Sequence, residues 1–315
     1  MGLCLVLVAW VAGCSTGGRS TPSAGRRIQD QPVAPVAAGE PSRSERVLDV
    51  VATTSVAADW LRVVGNTNVR AHVLVKAGLD PVSYLATSLD VEAVRRADLI
   101  VAVGRGLEPW LDPVRQAAGP PRPILTLSEG LPTRATASGV PDPFLWLDLA
   151  NAKQMVAALT TALAAADPAD EAAFRFAADA YATELDRGDA EVRRLLDPVA
   201  GRPLVTAKET FGWLAARYGL DIIGAVVPSL DGRADIPPQH LAALRRSIGS
   251  RQVKSVFAEA SVPDASVRML AQDAGVNAVV GSDGLLGDGL GQAGTETDTF
   301  LGAVRHNARS LAANL

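Results

Sequence analysis

The chain has 315 residues, a formal charge of −4, and 48% hydrophobic and 20% charged residues, enough apolar material for one or two packed cores. Aromatic residues make up only 4%, so Ala, Val and Leu must fill those cores; with no Lys/Arg cluster interleaved with aromatics, nucleic-acid binding has nothing to rest on. Both cysteines, Cys4 and Cys14, fall near the start of the chain, which leaves its body without a disulfide framework, a thiolate metal site or a cysteine nucleophile.

Residues 2–12 form one apolar run. It is shorter than the about 20 residues that span a bilayer and has the length of a signal-peptide core. The run ends in Val11-Ala12-Gly13-Cys14, followed by Ser15 and Thr16. This resembles a bacterial lipobox, and the resemblance implies that Cys14 is lipidated, becomes the mature first residue and anchors the protein outside the cell membrane. Residues 15–45 are rich in Ser, Gly, Pro, Ala and Arg without apolar periodicity. Such a stretch cannot bury enough surface to offset its ordering entropy and reads as a flexible linker.

From Val47 onward short apolar runs alternate with amphipathic stretches. Strands are predicted at 47–53, 69–75, 99–103 and 124–127, with helices near 55–64, 89–97 and 108–118. A second set has strands near 203–206, 221–227, 254–258 and 277–280, and helices near 209–218, 238–249, 264–274 and 298–314. Strand–helix alternation predicts parallel sheets with helices on their faces. Between the sets, 150–197 is helical throughout, with a restart at Pro168, since proline suits a first helical turn. A helix over 169–197 would be about 29 residues, about 43 Å long. The expected architecture is α/β: two lobes, each a parallel sheet flanked by helices, joined by one long rigid helix. Its parts are a signal peptide and lipobox (1–14), linker (15–45), N-terminal lobe (46–166), linking helix (167–198) and C-terminal lobe (199–315).

Common catalytic signatures are absent: there is no Gly-x-Ser-x-Gly elbow, no His-Glu-x-x-His and no phosphate loop. Gly104-Arg105-Gly106 reads as a tight turn. In the glycine-dense stretch 281–294, Asp283 and Asp288 lack calcium-loop spacing; Asp283 directly follows a strand end, where open α/β sheets bind ligands. The three histidines, His72, His240 and His306, do not cluster in the sequence and read as structural or surface residues.

The order of motifs is more specific. Gly78-Leu79-Asp80-Pro81-Val82-Ser83-Tyr84, Asp90, Ala97-Asp98-Leu99-Ile100 and Leu107-Glu108-Pro109-Trp110-Leu111 come first. Asp142-Pro143-Phe144-Leu145-Trp146-Leu147-Asp148, Phe211-Gly212-Trp213-Leu214, Phe257-Ala258-Glu259, Asp283 and Arg305-His306-Asn307 follow. Together they resemble the solute-binding lipoproteins of metal ABC transporters, zinc/manganese receptors with two lobes and a rigid linking helix. The resemblance covers residues 46–315 and implies a non-enzymatic, membrane-anchored receptor that passes its solute to a permease driven by an ATPase.

The same resemblance implies a ligand site from which this chain departs. The family's first three ligand positions are histidines; here they are Val82, Phe144 and Lys208. The two acid positions are kept as Glu259 and Asp283. In lacking the histidines the chain is similar to receptors that accompany cell-surface anchored-repeat proteins. Zinc favours about four ligands, mostly nitrogen or sulfur, so two carboxylates would leave at best a weak or vestigial metal site. An ammonium at a ligand position repels a cation by about 4 kcal/mol at 4 Å and an effective dielectric near 20. The expectation is that Lys208 replaces the metal's charge, bridging Glu259 and Asp283, while Val82 and Phe144 form an apolar wall. Such a pocket suits a chelated metal or a small organic solute better than a bare ion. The alternative is a surface interaction or adhesion protein on a degenerate receptor scaffold, and a Lys208–Glu259–Asp283 cluster without a nucleophile–base pair gives an enzyme no footing.

Overall fold

The computed structural model describes residues 46–315. The expected signal peptide, lipidation at Cys14 and linker lie outside the described residues. The first half contains β1 (Leu48–Thr54), α1 (Ser55–Gly65), β2 (Val69–Val75), α2 (Ser88–Arg96), β3 (Leu99–Ala102), α3 (Leu111–Ala117) and β4 (Ile124–Thr126). All strands pair in parallel in the order β2-β1-β3-β4. The second half contains β5 (Pro203–Thr206), α6 (Gly212–Tyr218), β6 (Asp221–Ala225), α7 (Pro238–Ser250), β7 (Ser255–Phe257), α8 (Asp264–Ala274) and β8 (Asn277–Val279), counting α4 and α5 between the halves. Its sheet, β6-β5-β7-β8, is also parallel and repeats the first topology.

The central strands read as continuous apolar runs because both faces are covered, as parallel sheets require. In β1 all residues but Asp49 are buried, and β3 is buried throughout. Local sequence sets the ends of elements. The Thr54 hydroxyl accepts the Ala57 N–H at 3.2 Å at the start of α1. Thr87 and Asp90 form a reciprocal capping box on α2, and the Tyr84 hydroxyl donates to the same Asp90 carboxylate at 2.9 Å. Gly104, Arg105 and Gly106 all have positive φ, the turn expected there; the Val103 and Gly104 N–H groups donate to the buried Glu108 carboxylate at 2.8 and 3.0 Å.

The expected helical region splits at Pro168 into α4 (Leu149–Ala166) and α5 (Glu171–Leu196). The 26 residues of α5 span about 39 Å. The last helix, α9 (Phe300–Asn314), is held to the second half, where the Ser255 hydroxyl of β7 donates to Asn314 O at 2.9 Å and the Ser310 hydroxyl to Asp283 O at 2.6 Å. The same helix packs on α5 and α1: the Trp60 and Phe300 rings meet edge to face at 5.2 Å, and the Phe300 N–H donates to buried Asp59 at 2.9 Å. One apolar cluster accordingly contains residues of both halves, from Trp60 and Leu107 to Phe257 and Leu285.

Candidate solute site

Both sheets change direction of strand order beside their first strand, and the carboxyl ends there face one another. Open α/β sheets place ligands at such points. Two Asp-Pro turns furnish one side. In Asp80-Pro81-Val82 the carboxylate accepts the Val82 N–H at 2.8 Å; in Asp142-Pro143-Phe144 the carboxylate accepts the Phe144 N–H at 3.0 Å. This side-chain turn fixes the residue after proline; Phe144 is fully buried, whereas Val82 is partly exposed and lines a cleft.

Lys208 enters from the other half, two residues past β5. Its side chain is entirely without solvent exposure. Three oxygens surround Nζ: Asp288 Oδ1 at 2.7 Å, Leu230 O at 3.0 Å and Asp80 Oδ2 at 3.1 Å. The Leu230 and Asp80 oxygens take hydrogen bonds from the ammonium, and Asp288 Oδ1 meets it as an ion pair. The Phe144 ring centre lies 5.4 Å from Nζ, close enough for a cation–π attraction. The Lys208 backbone N–H donates to Glu259 Oε1 at 3.0 Å. Asp80 also accepts the Gly232 N–H at 2.9 Å, and the Ser261 hydroxyl donates to Asp288.

The electrostatics follow from this packing. Burial works against the Lys208 charge, but Asp288, Asp80 and Glu259 outweigh it and hold the ammonium above its ordinary pKa. Burial raises the Asp288 carboxyl, with Lys208 opposing. Glu259 is pushed up to about 8, first by burial and then by the Asp288 charge; its Oε2 has no hydrogen-bond partner. Gly287 lets the loop pass over these acids: a Cβ there would lie 2.3 Å from Thr210 Cγ2 and 3.0 Å from Glu259 Oε2.

The structure does not bring Asp283 to this cluster. After β8 the chain turns through Gly281–Asp283, which leaves Asp283 exposed. It then runs beside Glu259, pairing Glu259 with Leu285, and Asp288 is the residue that arrives at Lys208. The ion-pair partners of Lys208 are therefore Asp80 and Asp288, while Glu259 is reached through the Lys208 backbone. The sequence offered both aspartates of the loop, and proximity to a strand end favoured Asp283; the extra bridge beyond the strand is what carries the acid five residues further. Asp80 opens the Asp-Pro-Val turn, and no local signal in that motif points its carboxylate toward a lysine 128 positions away.

The histidines stay apart from the acids. His72 is exposed, 3.4 Å from Asp49; His240 and His306 bond the Ala225 and Gly284 carbonyl oxygens at 2.7 and 2.8 Å. Among the described residues no three His, Cys, Asp or Glu side chains are grouped to hold a metal ion. A void bordering Asp288 measures about 10 Å³, room for one water at most. Open space begins beyond Leu230, in a cleft of about 470 Å³ lined by Val82, Val140 and Pro141 from the first half and Ser229, Leu230 and Asp231 from the second.

Two like parallel sheets, a linking helix and a site between their strand ends define a two-lobed solute-binding protein. Residues 50–314 match the family described as ZnuA, zinc-uptake complex component A, periplasmic, and the chain belongs to that family of metal-type solute-binding receptors of ABC importers. Among relatives, the zinc-binding protein TroA of Treponema pallidum (strain Nichols) is 32% identical over 275 residues, covering 84% of this chain and 88% of the relative. The manganese-binding lipoprotein MntA of Bacillus subtilis (strain 168) is 28% identical, covering 85% and 90%. The solved periplasmic zinc-binding protein TroA from Treponema pallidum superposes with a TM-score of 0.78 at 28% identity, covering 84% and 98%. A cadmium-bound periplasmic metal-binding protein from Candidatus Liberibacter asiaticus, at 22% identity and a TM-score of 0.74, shares the fold. These relatives are binding proteins, not enzymes, and the family's role implies permease and ATPase partners.

Proposed function

We propose that this protein is a lipid-anchored, extracytoplasmic receptor of an ABC importer whose site, through Val82, Phe144 and Lys208, favours a chelated metal or a small organic solute over a bare ion. The observation that carries this reading is the sealed ammonium of Lys208 between Asp80 and Asp288. A divalent ion in its place would have to displace a tethered cation that already has its oxygens. Val82 and Phe144 supply no donor atom, and the remaining acid, Glu259, has burial against its charged form. The nearby cleft, lined by apolar residues such as Val82, Val140 and Leu230 and by polar ones such as Arg105 and Asp231, is within the size range of small-ligand pockets. The tether to the membrane is supported by the names of relatives such as MntA, which is called a lipoprotein.

The test is a calorimetric titration of metal-free protein with zinc and with manganese, alongside Lys208→His. Wild-type protein is expected to take up neither ion stoichiometrically. Sub-micromolar uptake of either bare ion by the wild type would sink the reading. A second reading, a surface interaction protein, draws on Leu85 and Leu89, 77% and 78% exposed near the start of α2. Permease and ATPase genes next to this one would decide for the importer.

A further inference from the structure

On the site side the two halves are tied by groups of the chain itself. Asp80, in the turn after β2, serves three partners with one carboxylate. Its Oδ1 accepts the Val82 N–H of its own turn at 2.8 Å. Its Oδ2 accepts twice from the second half, from Lys208 Nζ at 3.1 Å and from the Gly232 N–H at 2.9 Å. The second half holds the ammonium in place for this contact, with Leu230 O at 3.0 Å and Asp288 Oδ1 at 2.7 Å from Nζ. Glycine at 232 admits the carboxylate, since a Cβ there would lie 3.1 Å from Asp80 Oδ2 and 2.9 Å from Val262 Cγ2.

Neutral bonds run along the same seam. Trp213 Nε1 donates to Asp142 O at 3.2 Å, and Trp146 Nε1 to Gly287 O at 3.1 Å. A first-half hairpin, with Ala135 and Pro141 paired, sets Ser138 against Glu209, whose Oε2 accepts the Ser138 N–H and hydroxyl at 3.2 and 2.6 Å. Among the described residues two ion pairs cross from one half to the other. Arg217–Asp148, at 3.4 Å, has side chains 28% and 17% exposed, so water and salt screen it. Lys208–Asp80 has side chains 0% and 4% exposed. Parting the halves there would strand buried charges, a cost that a screened pair does not impose.

A solute shifts an equilibrium between two conformations only by its differential affinity for them. Across this seam the chain supplies both sides of each bond, and no solute is needed to complete one. We propose that Lys208 and Asp80 form a built-in latch that keeps the two halves closed whether or not a solute is present. Closure and solute binding are then separate events. The solute occupies the cleft beyond Leu230, whose carbonyl the latch holds, and meets a protein that is already shut. This goes beyond the choice of solute, because it fixes the state of the empty protein.

The experiment is single-molecule energy transfer on the full chain, with dyes carried by unnatural amino acids at Leu85 in the first half and Met269 in the second, 77% and 50% exposed. Wild-type protein is expected to show one distance, unchanged by EDTA or by zinc chloride. Asp80→Asn removes the crossing charge but leaves Lys208 its partners in its own half. It should raise the open fraction at least about tenfold, the size expected for one lost charged hydrogen bond. Ser138→Ala, which cuts only an exposed hydroxyl bond of the seam, should leave the distance as it is. Amide exchange at Gly232 reads the latch without any variant: its N–H should exchange equally slowly with EDTA and with zinc chloride. An Asp80→Asn distance equal to that of the wild type, or opening as large in Ser138→Ala, would overturn the latch alone. An empty wild type that stands open, exchanges Gly232 freely and closes on zinc would overturn the latch and the choice of solute together.

Discussion

Nζ of Lys208 lies 2.7 Å from Oδ1 of Asp288, with the two side chains 0% and 5% exposed. A charge this deep persists only when its partners compensate for lost hydration. Here the partners come from both halves of the molecule, Asp80 from one and Asp288 from the other, so the lysine joins the two.

Replacing that ammonium should be costly. Lys208→Met keeps most of the side chain's length but leaves two buried acids without their cation, and a broken buried ion pair costs about 3–5 kcal/mol. Urea unfolding should register a loss of that order. Adding Asp80→Asn and Asp288→Asn to Lys208→Met should return much of it, because neutral amides no longer need a counter-charge.

The loop over the acids has no room for a side chain. Gly287→Ala would put a methyl group 2.3 Å from Thr210 Cγ2, and overpacking of this kind costs about 1–3 kcal/mol. The expected outcome is a lower thermal midpoint together with weaker protection of the neighbouring Trp146 indole, whose Nε1 donates to Gly287 O at 3.1 Å. An unchanged midpoint would mean that the loop sits further from Glu259.

Asp142 should make stability fall as pH rises. Burial pushes its carboxyl from 3.8 up to about 7, against the Phe144 N–H and Arg134, which lower it. The folded state therefore holds a proton that the unfolded chain releases. Its stabilising contribution is complete below pH 3.8 and is lost as pH climbs to about 7. Asp142→Asn, which keeps an acceptor for Phe144, should flatten the dependence of the urea midpoint over that range by about one proton. A parallel profile for wild type and variant would assign the slope to other groups.

Metal should be irrelevant to stability. An ion bound only by the native state at a hundred times its Kd would add about 2.7 kcal/mol. Thermal midpoints are expected to be the same after chelator dialysis, with added zinc and with added manganese, because Asp80 and Asp288 already hold the ammonium of Lys208 between them.

The alternation of strands and helices, the break at Pro168 and the motif order were legible in the chain because they are local: a buried parallel strand is an unbroken apolar run, and a helix announces its ends through capping residues such as Thr54 and Thr87. Val82, Phe144 and Lys208 could be singled out as well, since each sits in a motif of its own. The partners of Lys208 could not. Asp80 lies 128 positions away, and whether Asp283 or Asp288 reaches the ammonium depends on a single bridge, Glu259 to Leu285, that carries the loop past the end of its strand. Nor could the chain alone place α9 against α1 or bring Ser138 to Glu209. Such pairings are chosen by how two sheets and their helices bury their apolar faces together, and that choice exists only in three dimensions.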